Sequence, residues 1–245
     1  MKLRLQITKD PEIRFISHLE YARTIGRAIR RSKLPAAYTQ GFNPRLKYSL
    51  ASALGVGVVS YAEFVEIEMA EPVDIPSAAR ALDAALPRGI RVLAADTVDD
   101  KHTALMAEAG GAGYRVTLPF SGDLTASVAA YNAVPHLMFK KKAPKTKAKF
   151  KEIDVKFYIP ELAVQSDGTQ VVFYFDCKIT PEGSMKAVDL LNALNEAYDL
   201  HLPVAMADIE RLSLYRFDRK GNRLPMLNKD AFVLRSGIEE DAVRT

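Results

Sequence analysis

A change of hydrophobic period from two to about 3.6 residues, made twice and in the same order in each half of the chain, narrows the folds open to this sequence. Lys2 to Lys9 alternates, with Leu3, Leu5 and Ile7 on one side, as a strand does. Ser17 and Glu20 form a capping box, after which Leu19, Ala22, Ile25, Ala28 and Ile29 recur at helical spacing. These five predict a buried helix face, and Leu34-Pro35 ends the helix. Residues 46–51 and 62–69 read as strands with a break at Gly55 and Gly57, residues 76–86 as an amphipathic helix and residues 90–95 as a strand. The order is βαββαβ.

The second half repeats it. Residues 114–119 read as a strand, Asp123 caps a helix through Val128, Tyr131 and Val134, and residues 153–158 and 170–177 read as strands around an Asp167-Gly168 turn. Residues 185–198 read as a helix and residues 209–217 as a strand. Two consecutive strands between each pair of helices can close a hairpin, so the predicted class is α+β with two tandem ferredoxin-like units. Expected domains are residues 1–100 and 113–235, joined through a flexible segment at residues 109–113. The tail after Asp218 reads as irregular, and residues 238–245 as frayed.

At 245 residues and 48% apolar side chains the chain can bury a full core. No run of about 18 apolar residues is present, and the alternating N-terminus reads as a strand rather than a signal peptide, so no membrane is expected and the expected location is the cytoplasm. One cysteine, Cys177 in an alternating run, excludes a disulfide framework, a zinc site and an iron-sulfur cluster, and reads as a buried structural thiol. No cofactor and no metal are expected.

Charge is segregated. Residues 1–60 hold eleven Lys or Arg against three acids, and residues 140–151 hold seven lysines and no acid, in a chain whose net charge is only +4. Such concentration points to a localised field for an anionic partner. On the first helix Arg23, Arg27, Arg30 and Arg31 share the outer face, and Glu20 is its only acid. A planar guanidinium suits bidentate phosphate or carboxylate recognition. The Gly41-Phe42-Asn43-Pro44-Arg45-Leu46-Lys47 stretch joins a turn to the bases Arg45 and Lys47, with Asn43 at the corner and the rings of Tyr38, Phe42 and Tyr48 placed for stacking on an exposed base. Lys140, Lys141, Lys142, Lys145, Lys147, Lys149 and Lys151, interrupted by Pro144, read as a mobile loop that counterion release rewards on a phosphate backbone, with Phe150 as a stacking ring or an anchor. A solvated helix face and a solubilising loop are the plain alternatives.

Catalytic signals are poor. His18, His102, His136 and His201 have no metal-ligand spacing, and Gly55-Val56-Gly57 lacks the remainder of a phosphate loop. His18 is the one candidate base, lying at a helix N-terminus where the dipole lowers its pKa, and the alternative is a role in the cap.

The string Phe15-Ile16-Ser17-His18-Leu19-Glu20, with Arg23, Arg27-Ala28, Arg30-Arg31, Leu34-Pro35, Tyr38, Gln40-Gly41-Phe42-Asn43-Pro44, Lys47, Ser49 and Ala62-Glu63-Phe64, resembles the signature of a bacterial family of radical-SAM-linked proteins built on a domain of unknown function. Glu152-Ile153-Asp154-Val155 after the lysine segment resembles that family's second half; Arg45-Leu46 stands where many members have His-Pro. The resemblance implies a domain found alone or fused to a radical SAM protein, often encoded near ribonuclease G, and work on RNA or its modification. Without a three-cysteine cluster motif the chain is not itself the radical enzyme. A looser, architectural resemblance is to the CRISPR repeat endoribonucleases, from which only His18 carries across, as general base. The expected function is therefore an RNA-binding accessory protein for tRNA or rRNA, partnering a radical SAM protein, and not itself an enzyme. A metal-independent endoribonuclease using His18, and an adaptor docking on a radical SAM protein, are the alternatives.

Overall fold

The structure is a computed structural model and describes residues 1–99, 103–142 and 149–235. Along the chain run β1 (Lys2–Lys9), α1 (His18–Arg31), β2 (Tyr48–Leu50), β3 (Val58–Glu68), α2 (Ile75–Ala85), β4 (Val92–Val98), α3 (Leu105–Glu108), β5 (Gly111–Pro119), α4 (Thr125–Ala133), β6 (Met138–Lys142), β7 (Phe150–Asp154), α5 (Val155–Tyr158), β8 (Leu162–Ser166), β9 (Gln170–Thr180), β10 (Gly183–Ser184), α6 (Ala187–Tyr198), β11 (Asp208–Phe217), β12 (Arg223–Pro225) and β13 (Phe232–Val233). Helices and sheet are mixed throughout, as the sequence predicts at that level. Two compact units result, one of Met1–Gly110 with the chain from Arg211 onwards, the other of Gly111–Glu210.

In the first unit β1 lies between β3 and β4, antiparallel to both, and β2 pairs antiparallel with the far end of β3. Leu3, Leu5 and Ile7 of β1 enter one core with Val65 and Ile67 of β3 and Val92 and Ala95 of β4. Tyr21, Ile25, Ala28 and Ile29 of α1 and Ala78, Ala79 and Leu82 of α2 cover it. Each large side chain so buried contributes about 1.5–3 kcal/mol. Ser17 caps α1 by accepting from the Glu20 amide at 3.2 Å, as the capping box requires. Leu19, expected in the core, is 65% exposed, and Tyr21 fills the place with its hydroxyl donating to the Thr8 carbonyl at 2.7 Å. The other face of β1 is also covered. There Arg4 is buried and donates to Glu66, Glu108 and the Met226 carbonyl.

The stretch after Asp218 is more ordered, among the described residues, than its composition suggests. β12 pairs with β11 and β13 with β4, so the tail after Asp218 is not irregular over those stretches. Residues 238–245, expected to be frayed, lie outside the described residues.

In the second unit β5 pairs antiparallel with β9 from Gly111↔Lys178 to Pro119↔Gln170, and β8 pairs with β9 across a turn in which Asp167 accepts from the amides of Thr169 and Gln170. Gly111, Ala112 and Gly113 are therefore strand, not a flexible joint. Gly110 is chosen for closeness, since a Cβ there would lie 2.6 Å from the Phe217 ring. The expected strand at residues 153–158 is instead the end of β7 and the turn of α5, opened by Asp154 accepting from the Lys156 amide at 3.1 Å. β7 pairs with β6, not with β9, and β8 supplies the hairpin partner. Cys177 is buried and unbridged.

Candidate nucleic-acid interface

Apolar residues on one side of α1 leave Arg23, Arg27, Arg30 and Arg31 on the solvent side, all exposed. Arg23 is taken by Glu20 at 2.6 Å, an (i, i+3) pair between two exposed side chains. Arg27 donates to the Thr24 hydroxyl at 3.0 Å, and Arg31 to the Ala85 carbonyl at the end of α2 at 2.7 Å. Among the described residues no carboxylate lies in ion-pair range of Arg27, Arg30, Arg31 or Arg45. Three of the four helix arginines thus keep charge available. A guanidinium with five donors that spends one on a carbonyl retains most of its fork.

The Gly41-Phe42-Asn43-Pro44 turn is the tip of a small hairpin. Its stem is held by Thr39 N to Arg45 O at 2.8 Å, Arg45 N to Thr39 Oγ1 at 2.9 Å and Lys47 N to Ala37 O at 2.9 Å. Ala37 N in turn donates to the Glu68 carbonyl of β3. Gly41 has φ +116°, a conformation that L side chains rarely adopt, with open space where a Cβ would be. Phe42 at the tip is fully exposed, Tyr38 is 43% exposed, and Asn43 and Arg45 are exposed. The other two expected members are occupied. Tyr48 donates to the Ala22 carbonyl at 2.9 Å and packs over Gly26, so its ring is no stacking platform, and Lys47 is paired with Glu68 at 2.8 Å. Burial raises the Tyr48 phenol, against the field of Arg30.

In the second unit the lysine segment is not simply a loop. Lys140 and Lys141 lie in β6 opposite Glu152 and Lys151 of β7, and Lys142 opposite Phe150. Alternation of Phe139 and Ile153 with charge gives the segment the pattern of a half-buried hairpin, which overrides its self-repulsion at this end. Lys140 is exposed, whereas Lys141 pairs with Asp189 at 2.6 Å. Lys149 is exposed at φ 57°. Lys145 and Lys147, and the side chain of Lys142, lie outside what is described.

His18 is half-buried, with Nδ1 enclosed and without a hydrogen-bond partner. Burial pulls its imidazole below the ordinary range, Glu63 opposing and Arg211 and Lys9 reinforcing the shift. These three form a buried cluster that sequence reasoning missed. The Lys9 ammonium donates to the carbonyls of Arg14 at 2.8 Å and Ile16 at 3.2 Å, fixing the turn before α1. Glu63 accepts from Arg211 at 2.9 Å and from Ser60 at 2.6 Å. The sequence signal was there: Lys9 and Glu63 interrupt otherwise apolar strand faces, where a charge survives only with a partner. The cluster shapes the start of α1, and Lys9, Glu63 and Arg211 are too enclosed to touch a ligand. Among the described residues no His, Cys, Asp or Glu group has metal-site geometry, and no helix is long and apolar enough to cross a membrane.

The profile of a family described as an uncharacterized protein conserved in bacteria (DUF2344) matches residues 2–188. The chain therefore belongs to that family. No curated protein matches it. Among solved structures, a crystal structure of a Cbf5-Nop10-Gar1 complex is similar at 13% identity and TM-score 0.48, over 88% of this chain and 50% of that chain. The chain thus spans half the length of that relative. A crystal structure of an unknown protein from Galdieria sulphuraria is similar at 13% identity and TM-score 0.25, over 86% of this chain and 96% of that one. Likeness at this level says nothing of function.

Proposed function

We propose that this member of the DUF2344 family is an RNA-binding accessory protein that holds the backbone of a tRNA or rRNA on the arginine face of α1 and the hairpin beside it. The observation that carries the reading is the set Arg27, Arg30, Arg31 and Arg45, exposed on one unit without an acid in range, with Arg45 in the stem of the hairpin that carries the exposed ring of Phe42. A merely solvated helix face is normally laced with (i, i+4) ion pairs, and here Glu20 accounts for one arginine of the four on the helix. Exposed lysines of the second unit, Lys140 and Lys149, support the same anionic partner.

The strand order β4-β1-β3-β2 with α1 and α2 on one core supports a ferredoxin-like reading of the first unit, and the resemblance of residues 15–64 to radical-SAM-linked proteins supports a radical SAM enzyme as the partner that modifies the bound RNA. In this reading that work is done in the cytoplasm.

A mobility-shift titration with total cellular RNA at two salt concentrations tests the reading. Binding is expected to weaken with salt, and the double substitution Arg27→Gln with Arg30→Gln to lower the log–log slope by about 0.7–0.9 for each phosphate that is no longer neutralised. No binding at low salt, or an unchanged slope in the double variant, removes the proposal.

A further inference from the structure

We infer that the RNA site takes an unpaired nucleotide, stacked on the ring of Phe42, so that its substrates are RNAs presenting a loop, bulge or single-stranded end. This rests on the RNA-binding reading above and adds the substrate class. A single exposed apolar side chain is ordinary on a protein surface, so exposure alone decides nothing. The support beneath it is what sets Phe42 apart. Its hairpin is hydrogen-bonded across the stem at Thr39–Arg45 and Ala37–Lys47, and the stem is stitched to β3 through Ala37 N to Glu68 O at 2.7 Å and Glu68 N to Lys47 O at 3.0 Å. Gly41 at φ +116° sets the tip. A loose loop would fold its phenylalanine onto the nearest apolar surface, gaining about 1.5–3 kcal/mol. This loop instead holds the ring out in water, with Arg45 in its stem.

Magnitudes choose the ligand. Stacking one base on an aromatic ring yields about 1–3 kcal/mol, while extracting a base from a duplex costs a few kcal/mol. The two nearly cancel for a paired base, and only a base already out of its helix leaves a net gain. The arginines are indifferent to pairing because they read phosphates. Affinity from the arginines and selectivity from Phe42 are thus separable.

The chain contains no tryptophan, so Phe42→Trp creates a sole, exposed reporter. The experiment titrates the chain carrying Phe42→Trp with oligoadenylate and with a blunt-ended RNA duplex of equal length, and measures the affinity of both RNAs for the unaltered chain and for Phe42→Ala. Expected are quenching of the tryptophan by oligoadenylate but not by duplex, and a roughly tenfold loss of oligoadenylate affinity in Phe42→Ala with duplex binding unchanged. If oligoadenylate binds with a salt dependence yet neither quenches the tryptophan nor distinguishes Phe42→Ala, the inference fails while the RNA-binding reading stands. Equal quenching by duplex overturns the selectivity. If neither RNA binds the unaltered chain, the inference falls, and the titration with total cellular RNA alone decides the RNA-binding reading. An unchanged melting curve for Phe42→Ala keeps the comparison clean.

Discussion

At the first turn of α1, His18 has one ring nitrogen enclosed without a partner, and Lys9 and Arg211 already place positive charge around it, with Glu63 the single opposing acid. Protonating the ring would add a third cation there. Burial first, and the two cations after it, depress its folded pKa, and the unfolded chain, with an ordinary imidazole near 6.5, binds the proton first as pH falls. Stability from this site is complete above about pH 6.5 and is lost as pH drops toward the folded value. The urea midpoint should fall between about pH 7 and pH 5, and His18→Gln should fall less over the same interval. Parallel curves for the two proteins would show that the ring is not resisting protonation. The carboxylates held below their usual range, Asp83 and Asp154 among them, act in a lower window, below about pH 4. The same residue shows what a sequence can say about a site. A histidine beside a cap was visible, and Lys9 and Glu63 stood out as charges on apolar strand faces, but Arg211 comes from a third strand and no local spacing says that the three meet at His18.

Elements were legible where period and punctuation agreed. β1, α1, α2, β9 and α6 carry an uninterrupted apolar stripe between a cap, a glycine or a proline, and each stands within a few residues of its expected place. Where they disagreed, tertiary packing decided. Gly111 to Gly113 read as a hinge but pair along β9, because small residues also suit close backbone approach. Residues 153–158 look like a strand, yet Asp154 supplies a cap that turns the chain after β7. Gly26, in the middle of α1, shows the same logic in reverse, since Ala there would favour the helix by about 1 kcal/mol. Its Cβ would lie 2.8 Å from the Tyr48 hydroxyl and 3.1 Å from the ring carbon bearing it, and that hydroxyl is committed to the Ala22 carbonyl. Overpacking of this kind costs about 1–3 kcal/mol and the displaced hydrogen bond about 1 more. Gly26→Ala should therefore destabilise the protein in urea unfolding, and a gain in stability would mean that Tyr48 moves aside freely.

At the scale of the molecule, the charge segregation read from the sequence survives as exposed arginines on the first unit and exposed lysines on the second, but the division of the chain does not follow its linear order. Arg211 meets Glu63 across 148 positions, and Arg235 grips Asp83 of α2 with two bonds of 2.5 and 2.6 Å across 152. β13 closes the free edge of β4 through Phe232↔Ala95 and Val233↔Ala94. Periodicity is a local quantity and cannot register such returns. A chain ending at Gly110 would keep every element of the first βαββαβ set and lose all three ties. Losing the Arg211 pair at Glu63, the Arg235 pair at Asp83 and the β13 pairing on β4 together removes a large share of a total stability that is on the order of 5–15 kcal/mol for an ordinary domain. Truncation at Gly110 should therefore abolish cooperative thermal unfolding followed by circular dichroism and collapse the amide dispersion in NMR spectra. Adding Glu63→Gln to the truncated chain strips the buried Lys9 ammonium of its opposing charge and should recover none of that structure. A truncated chain that unfolds cooperatively would show that the first hundred residues are a domain in their own right and that the returning segment only decorates them.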